Sequence, residues 1–478
     1  IDYITAVYGI HRLSGVVTPA NAVYSSAELE HQVKSSGSQL VITCTELLPV
    51  ALAAVKAAGL PQENVILLPM PEDDSSNKEP FLTLEDLIKR GEKLPPLEPL
   101  RWSNGQGRRQ SAFLCYSSGT SGLPNVIANI LQYVLYESVG RAKKRVTTQN
   151  LAAPLPMSHI YALVMASHGA VWRGDGYIVL PKYDLRAFLN AIQRFRVAHV
   201  LVVPPIILQM LNSQDLCREY DLSSLRFVYS GAAPLGEETI QQVSRSYPSW
   251  TIGQAYGMTE TAVLVTSPSE HDVLHKASGS LLPGVLVKLL DAENHEITGY
   301  DISGEVLVQT PSAALGYLNN ETATSETFVN DQHGRWVRTG DEALMTLAPS
   351  GNEQLVIVDR IKELIKVKGH QVAPAELEAH ILSHPSVADC AVIQIPDDRA
   401  GEIPKAFVVR TPESDSKSEV QIAKDIIQWV ADHKASYKHI RGGVEFRNMI
   451  PKSPSGKILR RLLRDEEKKK SARLASKL

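Results

Sequence analysis

Short runs rich in β-branched residues alternate with amphipathic stretches through roughly the first 300 residues of this chain. Leu40–Thr43 precedes the amphipathic stretch Leu47–Ala58, and Val200–Val203 precedes Ile206–Leu211. Alternation of this kind is typical of α/β layers, in which helices connect parallel strands. It therefore predicts a large α/β domain of several layers with mostly parallel sheets.

The pattern changes near Asp359 and Arg360, which marks a domain boundary. Proline-led helices and longer strands follow, and we predict the strands Glu363–Val367 and Val387–Ile395 and the helices Pro374–Leu382 and Val420–His433. The sequence thus predicts a large domain over residues 1–359 and a small, mobile α+β domain over residues 360–478, a common domain size. A ligand site is expected in the cleft between the two domains.

Composition excludes several classes of protein. A chain of 478 residues that is 44% hydrophobic can bury a core in more than one domain. Its formal net charge of −3 gives no reason to expect nucleic acid as a partner, and no apolar run is long enough to span a membrane. The four cysteines, Cys44, Cys115, Cys217 and Cys390, are scattered, so neither a disulfide framework nor a zinc site is indicated.

The two ends of the sequence support separate expectations. The first residue is Ile1 rather than Met, inside a predicted helix that continues to Leu13, so we expect further residues upstream. The last three residues, Ser476, Lys477 and Leu478, match a peroxisomal import address and follow a basic stretch. The alternative is a frayed, basic helix end. We expect a peroxisomal location and an import receptor as partner.

A loop rich in hydroxyl groups and glycine follows the apolar run Ala112–Tyr116. Its residues are Ser117, Ser118, Gly119, Thr120, Ser121 and Gly122. Backbone N–H groups and small hydroxyl side chains in such a loop can surround a polyphosphate. An ordinary solvated loop is the alternative, and the absence of a following Gly-Lys-Ser/Thr excludes a Walker loop.

Five further segments supply groups that a nucleotide requires. They offer small residues beside a flat ring, an aromatic face with a hydroxyl and a carboxylate, an acid in a tight turn, and two basic stretches; the segments are Ser230–Leu235, Gln254–Glu260, Arg338–Asp341, Asp359–Gly369 and Pro451–Lys457. Each one alone is equally compatible with a turn or a solvated face. Together, and in this order, they indicate a nucleotide site.

The order and the residues of these segments resemble the motifs of the adenylate-forming superfamily, which contains acyl-CoA synthetases, luciferases and peptide-synthetase adenylation domains. The resemblance covers essentially the whole chain. The most specific matches are Leu155–Tyr161, Tyr256–Glu260 and Val358–Glu378. The chain looks most similar to the 4-coumarate–CoA ligase-like branch, in particular to fungal peroxisomal phenylacetate and other aryl-acid–CoA ligases. The resemblance implies the adenylate-forming enzyme fold and three ligands: ATP, Mg²⁺ and coenzyme A.

The resemblance also implies a two-step ligase reaction and assigns residues to its first step, in which a carboxylate attacks the α-phosphorus of ATP. Thr259 contacts phosphate, Glu260 binds Mg²⁺, Asp341 accepts the ribose hydroxyls, Tyr256 flanks adenine, and Lys457 bridges the substrate carboxylate and the α-phosphate. The implied nucleotide-binding residues are Ser117, Ser118, Gly119, Thr120, Ser121, Gly122, Gly231, Ala232, Ala233, Gln254, Tyr256, Gly257, Asp341, Arg360 and Gly369.

In the second step, the same resemblance implies that the small domain rotates about Lys362, which occupies the hinge position. Lys457 then leaves, and the face that contains Lys366 and Gly369 approaches the adenylate, which transfers its acyl group to the thiol of coenzyme A. His159 occupies the position beside the acyl carboxylate, although a lone histidine is more often a core residue. The implied catalytic residues are Lys457, His159, Thr259, Glu260 and Lys366.

The expected wall of the acyl pocket is mostly apolar. Its residues are Tyr161, Ala162, Met165, Ala255, Val263 and Val265. The segment around His159 has no aspartate that would hold an α-ammonium group, so amino acids are disfavoured as substrates. Ala255 stands where this branch commonly has glycine, which shortens the pocket. We expect aryl or medium-chain acids, with phenylacetate-like or cinnamate-like acids preferred and several tolerated.

Two other functions stay open at this level: an adenylation enzyme that loads a carrier protein, and a nucleotide-binding protein without turnover. The second rests on one departure from the family pattern. The family continues past the proline of the phosphate loop with lysine and glycine, whereas here Asn125 follows Pro124 directly. The loop is about eight residues short, within the span of a surface loop. We expect the natural chain to have lysine after Pro124, which the gene sequence tests.

Overall fold

The computed structural model describes residues 2–68, 70, 81–116, 121–122, 148–414, 418–453 and 456–475. Three of the predictions above lie outside these ranges: the phosphate-loop residues Ser117, Ser118, Gly119 and Thr120, the stretch that follows Pro124, and the terminal Ser476–Leu478. In the described ranges, no helix has both the length and the apolar character needed to cross a membrane.

The first layer of the large domain is a small parallel sheet with flanking helices. Its order is β1-β2-β3, and Ser25 begins the second helix with a reciprocal capping box to Glu28. The elements are α1 (Asp2–Arg12), α2 (Ser26–Ser36), β1 (Val41–Cys44), α3 (Leu48–Ala58), β2 (Val65–Leu68), β3 (Leu82–Thr83), α4 (Leu84–Gly91), β4 (Cys115–Tyr116) and β5 (Ser121–Gly122). Strands β4 and β5 pair antiparallel, so Ser121 and Gly122, predicted as the end of the phosphate loop, form a short strand.

The centre of the large domain is a five-stranded parallel sheet, as the strand–helix alternation predicts. Its order is β10-β9-β8-β6-β7, formed by β6 (Asn150–Ala152), β7 (Gly176–Ile178), β8 (His199–Val202), β9 (Phe227–Ser230) and β10 (Thr251–Gln254). All four residues of β8 and of β9 are buried, which accounts for their continuous apolar character. The carboxyl ends of these strands open toward the segments predicted to bind the nucleotide.

Helices cover this parallel sheet. A fully buried π-helix, Ala162–Ala170, follows the segment that contains His159. The α-helices are α5 (Val171–Arg173), α6 (Leu185–Arg194), α7 (Pro204–Asn212), α8 (Gln214–Arg218) and α9 (Glu237–Ser246). Asp184 caps α6 by accepting the N–H of Ala187, and Pro204 opens α7 at a position that requires no N–H donor.

A mostly antiparallel region completes the large domain. Strands β11 (Thr266–Ser267) and β12 (Ser280–Leu281) form a ribbon, and a six-stranded sheet contains β13 (Leu286–Leu290), β14 (Glu296–Ile297), β15 (Gly304–Gln309), β16 (Phe328–Asp331), β17 (Gly334–Leu347) and β18 (Glu353–Arg360), with α10 (Glu321–Thr327) before β16. The long strand β17 pairs with β15, β16 and β18. This sheet ends at Arg360, at the predicted domain boundary.

The small domain has its own sheet and its own apolar core, which begins at Ile365. Its elements are β19 (Ile365–Val367), β20 (His370–Val372), α11 (Pro374–Leu382), β21 (Val387–Asp397), β22 (Gly401–Arg410), α12 (Glu419–His433), β23 (Val444–Phe446) and α13 (Arg460–Ala475). The strand predicted from Glu363 begins two residues later, because the N–H of Glu363 bonds to the carbonyl of Arg360 in a turn. The fold class is therefore α/β with a separate, smaller α+β C-terminal domain.

Candidate active site

Lys457 lies on a loop of the small domain that contacts the large domain. The N–H of Ser453 donates to the carbonyl of Lys457 over 2.8 Å, which closes the loop. At Gly456, where φ is +80°, a Cβ atom would lie 3.1 Å from Cγ2 of Val203 and 3.3 Å from Cγ of Pro205. Glycine thus permits both the left-handed backbone and the close approach. The loop places Lys457 at the domain junction, as predicted for the first step.

Charged groups from both domains act on Lys457. Its pKa is lowered to about 8, first by burial and next by the positive charge of Arg360, while the carboxylates of Glu363 and Asp341 act in the opposite direction. A lysine of this kind is charged at neutral pH but loses its proton more readily than a surface lysine. The ammonium group faces the carboxylate predicted to bind the ribose.

Asp341 is buried on β17 and bonded to an aromatic side chain. The hydroxyl of Tyr256 donates to Oδ2 of Asp341 over 2.6 Å, and Nε of Arg360 lies 3.7 Å from Oδ1. Burial raises the pKa of Asp341, whereas the Tyr256 hydrogen bond and the charges of Arg360 and Lys457 act to lower it. The structure therefore brings together four of the predicted site residues, Tyr256, Asp341, Arg360 and Lys457, which span 201 positions of the sequence.

The turn after β9 contains a strained residue, and a hydrogen bond to a side chain of the neighbouring strand holds the turn in place. Ala232 has φ +69°, a left-handed conformation that costs free energy for a residue with a side chain. The N–H of Leu235 donates to Oε1 of Gln254 over 2.7 Å, and Nε2 of Gln254 donates to the carbonyl of His275 over 2.9 Å. The side chain of Gln254, at the end of β10, thus joins the backbone at Leu235, just after Gly231–Ala233, to the backbone at His275. Here its side chain acts as a structural link.

The next turn contains Thr259 and Glu260 and is also strained. Val263 has φ +107°, rare for a β-branched residue, and a Cβ at Gly257 would lie only 1.4 Å from the carbonyl oxygen of Val263. Glycine is therefore required at position 257 for this fold. Strain of this kind concentrates at functional sites because the surrounding structure must enforce it.

Glu260 is buried, and its Oε1 atom accepts a 2.7 Å hydrogen bond from the hydroxyl of Tyr317. The carbonyl of Glu260 accepts the N–H of Ala314 over 2.7 Å. Among the ion pairs of the described residues, none involves Glu260. A buried carboxylate oriented by a neutral donor fits a hard cation such as Mg²⁺, which prefers oxygen ligands.

His159 lies between β6 and the π-helix, and its Nδ1 accepts the N–H of Tyr161 over 3.3 Å. The pKa of His159 is lowered to about 4, first by burial and then by the charge of Lys457. The imidazole is neutral at physiological pH, and its proton resides on Nε2 because Nδ1 acts as an acceptor. The charge of Lys457 acts on His159, so the structure brings these two predicted site residues near one another.

The predicted acyl wall belongs to the main apolar core of the large domain. The buried members are Tyr161, Ala162, Met165, Val263 and Val265, and Ala255 is partly buried against them. The hydroxyl of Tyr161 donates to the carbonyl of Tyr229 over 3.0 Å, and its ring would contact a Cβ at Gly231 at 3.2 Å. Tyr161 therefore presents a fixed ring edge to the Gly231 backbone.

The remaining predicted residues lie on the exposed side of the small domain. Lys362 is in the turn after β18, and Lys366 and Gly369 are in the hairpin of β19 and β20, where the N–H of Lys366 donates to Glu402 over 2.8 Å. Gly369 has φ +83°. These positions suit residues that approach the site only after a domain rotation, and the role assigned to them stays a prediction.

Two family models match this chain. The model of the AMP-binding enzyme matches residues 1–318, and that of the AMP-binding enzyme C-terminal domain matches residues 376–457. The chain belongs to the AMP-binding enzyme family. The C-terminal match includes Lys457, whereas Asp341 lies in the stretch between the two matched regions.

Curated relatives of this AMP-binding enzyme are acyl-CoA ligases. Acyl-CoA ligase cm3C of Cordyceps militaris is 39% identical over 98% of this chain and 74% of its own length. Acyl-CoA ligase AKT1 of Alternaria alternata is 37% identical over 100% of this chain and 84% of its own length. The 4-coumarate–CoA ligase-like 2 protein of Arabidopsis thaliana is 36% identical over 94% and 77%. The chain is an AMP-forming acyl-CoA ligase of the superfamily predicted from its motifs.

A solved structure shows the same fold. The anthranilate–CoA ligase AuaEII, crystallised with anthranoyl-AMP, superposes with a TM-score of 0.82 at 24% identity, over 100% of this chain and 86% of its own. At this identity the similarity shows the fold alone.

Sequence reasoning missed several residues of this AMP-binding enzyme site. Tyr317 orients Glu260, Arg460 bonds to Glu363 and Glu378, and Glu238 of α9 lies 3.8 Å from His380 across the domain junction. The only local signal for Tyr317 is its place after Gly316. The charged residues Glu363, Glu378 and Arg460 resemble ordinary surface charges in the sequence. Their partners are distant along the chain, so only the fold shows the pairing.

Proposed function

We propose that this protein is an ATP- and Mg²⁺-dependent acid–CoA ligase that activates an aryl or medium-chain carboxylic acid as acyl-AMP and transfers it to the thiol of coenzyme A. The single observation that supports this most strongly is the position of Lys457. A lysine of the small domain interacts electrostatically with Asp341, Arg360 and His159 of the nucleotide site. Membership of the acyl-CoA ligase family supports the same conclusion.

In the first step, a carboxylate oxygen of the acid forms a bond to the α-phosphorus of ATP, and the bond from that phosphorus to pyrophosphate breaks. Negative charges meet in this reaction, so a fixed positive charge lowers the barrier where charge develops. Lys457 supplies that charge, and partial burial strengthens its effect. Asp341 accepts hydrogen bonds from the ribose hydroxyls, which partly replace its hydrogen bond from Tyr256.

Glu260 would hold Mg²⁺, which neutralises phosphate charge when bound. The hydroxyl of Tyr317 keeps the carboxylate in one orientation. Neutral His159 directs its Nε2–H toward the acyl group without adding a positive charge. In the second step, the thiol sulfur of coenzyme A attacks the carbonyl carbon, AMP leaves with the bridging oxygen, and the thiol proton passes to solvent.

The substrate class rests on the acyl wall. It is apolar apart from the Tyr161 hydroxyl, which already donates to Tyr229. An ammonium group in this wall would have no carboxylate partner and would be costly to bury. This favours neutral aryl and alkyl acids over amino acids, with 2-aryl acetates and cinnamates as the acids to test first.

The proposal is tested with purified full-length protein, ATP, Mg²⁺ and a panel of aryl, alkyl and amino acids. Pyrophosphate release with at least one aryl or medium-chain acid, followed by acyl-CoA formation in the absence of any carrier protein, is expected. AMP release that requires an added carrier protein would favour the carrier-loading enzyme. Tight ATP binding without release of pyrophosphate in the presence of any of the acids would indicate a nucleotide-binding protein without turnover.

A further inference from the structure

Arg460 is the first residue of α13 and lies three positions after Lys457. It is buried, and its guanidinium group grips Glu378 with two hydrogen bonds, from Nε to Oε1 at 3.2 Å and from a terminal nitrogen to Oε2 at 2.6 Å. Its other terminal nitrogen donates to Glu363. A planar group with several donors in fixed directions holds its partners more rigidly than a lysine would.

The partners of Arg460 belong to separate elements. Glu363 lies in the turn between Arg360 and β19, close to the predicted hinge, and Glu378 lies on α11. Oε1 of Glu378 also accepts the N–H of Val392 on β21 over 2.8 Å. One guanidinium group thus joins the turn after β18, a helix, and the loop that contains Lys457.

The charges of this cluster are not balanced within it. Burial acts to lower the pKa of Arg460, yet that pKa is raised because the carboxylates of Glu378, Glu363 and Asp359 surround the guanidinium group. Three carboxylates therefore share one arginine. One of them, Glu363, also acts on the ammonium group of Lys457, so its negative charge interacts with two cations, Arg460 and Lys457.

We propose that Arg460 and Glu363 are positioning residues for Lys457: Arg460 fixes the loop that contains Lys457 to the turn after β18, and Glu363 stabilises the positive charge of its ammonium group. The kinetic consequence of this inference rests on the function proposed above. Its electrostatic consequence does not require turnover.

The groups that face Lys457 come from every element around it. They are Arg360 at the end of β18, Glu363 in the following turn, Asp341 on β17, Arg460 on α13, and neutral His159 before the π-helix. Without the charge of Glu363, the guanidinium groups of Arg360 and Arg460 would be opposed less strongly. The ammonium group would then lose its proton at a lower pH.

The electrostatic part is tested by competitive acetylation of Lys457 in the full-length chain as a function of pH, quantified by mass spectrometry. The labelling midpoint of the wild type is expected near the pKa of about 8. Glu363→Gln keeps the shape of the side chain and should lower the midpoint by roughly half a pH unit or more. Glu376→Gln is the matched control, because Glu376 pairs with Lys434 and Lys438 elsewhere in the small domain. Equal midpoints in wild type and Glu363→Gln would overturn the role of Glu363.

The geometric part is tested with Arg460→Lys, which keeps the charge but removes the paired hydrogen bonds to Glu378. We expect acyl-AMP formation to slow by about tenfold because the loop is less well oriented. Transfer from preformed acyl-AMP to coenzyme A, and the KM values for ATP and acid, should stay within about twofold of the wild type. Equal loss of both half-reactions would mean that Arg460 is merely structural. If Arg460→Lys does not fold, Glu363→Ala takes its place in the kinetic assay, since it removes one of the same bonds.

The two proposals fail in different ways. If the wild type makes no acyl-AMP from any acid, the proposed ligase function is wrong, while the labelling midpoints still decide whether Glu363 sustains the charge of Lys457. If the wild type is active but Glu363→Gln leaves the midpoint unchanged, only the positioning inference is wrong.

Discussion

The hydroxyl of Tyr256 donates a 2.6 Å hydrogen bond to Oδ2 of Asp341, which joins the segment after β10 to the long strand β17. Asp341 is buried, so its anionic form depends on compensation by its neighbours. The Tyr256 bond and the charges of Arg360 and Lys457 supply that compensation. Because Lys457 belongs to the small domain, docking of that domain favours the ionised form of the carboxylate that we propose as the ribose ligand.

Asp341→Asn should weaken ATP binding. The amide keeps the shape of the side chain but removes the charge that strengthens hydrogen bonds to the ribose. We expect the KM for ATP to rise by about tenfold or more, with a smaller change in kcat, as measured by initial rates of pyrophosphate release. The control is Asp291→Asn, at a turn where the carboxylate accepts only nearby N–H groups, from Glu293 and His295, among the described residues. An unchanged KM for ATP in Asp341→Asn would contradict the ribose role.

The rate of acyl-AMP formation should fall as the pH rises through about 8, because the pKa of Lys457 is lowered to about 8 and the charged form is the active one. His159 should contribute no change near neutrality, since its pKa is lowered to about 4 and the imidazole is already neutral. Lys457→Arg remains charged over this range, so it should remove the alkaline limb at a reduced rate. An acidic limb near the ordinary histidine pKa that disappears in His159→Asn would contradict the burial argument.

Tyr317→Phe should weaken the metal site. Loss of the hydroxyl leaves Oε1 of Glu260 without its 2.7 Å donor, and the carboxylate becomes free to rotate. We expect the apparent affinity for Mg²⁺ to fall by about tenfold. Mn²⁺ binding in the presence of ATP, followed by electron paramagnetic resonance, measures the change independently of turnover.

The control for this substitution is Tyr300→Phe, which removes a comparable 2.6 Å bond to a glutamate, Glu353, at the exposed surface. It should leave Mn²⁺ binding unchanged. Identical Mn²⁺ affinity in the Tyr317 and Tyr300 variants would show that Tyr317 does not support a metal site.

Gly236→Ala should impair the first half-reaction by disturbing domain contact. A Cβ at Gly236 would lie 2.4 Å from Cβ of Ala379 on α11, although the backbone at Gly236 has ordinary dihedral angles. We expect acyl-AMP formation to fall by about tenfold, with no change in the melting temperature of the large domain, and Ala379→Gly in the same chain should restore most of it. Gly91→Ala, where the added Cβ meets no atom within 4 Å, is the control.

Failure of Ala379→Gly to restore activity would indicate that Gly236→Ala acts within the large domain. Equal impairment of coenzyme A acylation from preformed acyl-AMP would likewise argue against a contact specific to the arrangement described here.

Local patterns predicted several of the regular elements. Helices α3 and α11 occur within one residue of their expected bounds, because their apolar spacing and terminal prolines or glycines act locally. The π-helix Ala162–Ala170 could not be predicted in this way, since its residues are all buried and the run has no amphipathic period. The strand expected from Glu363 starts late because a backbone bond to Arg360 forms a turn instead.

Motifs were sufficient to single out Asp341, Tyr256 and Lys457, which the fold brings together, while the roles assigned to them stay predictions. The site was not predictable where the function of a residue depends on a distant partner. Arg460 lies in a basic stretch that composition alone assigns to the surface, yet it is buried against Glu378, 82 positions away. Charge, unlike apolar period, does not reveal burial along a sequence, because a paired arginine and an exposed one have the same local pattern.

The central claim is that a carboxylate oxygen of the acid attacks the α-phosphorus of ATP before coenzyme A reacts. The most direct measurement uses an acid with both carboxylate oxygens labelled with ¹⁸O, together with ATP, Mg²⁺, coenzyme A and the full-length protein, and analyses the products by mass spectrometry. AMP should acquire one ¹⁸O atom, and the acyl-CoA should retain the other. Unlabelled AMP, or label in inorganic phosphate with ADP as the second product, would contradict this claim.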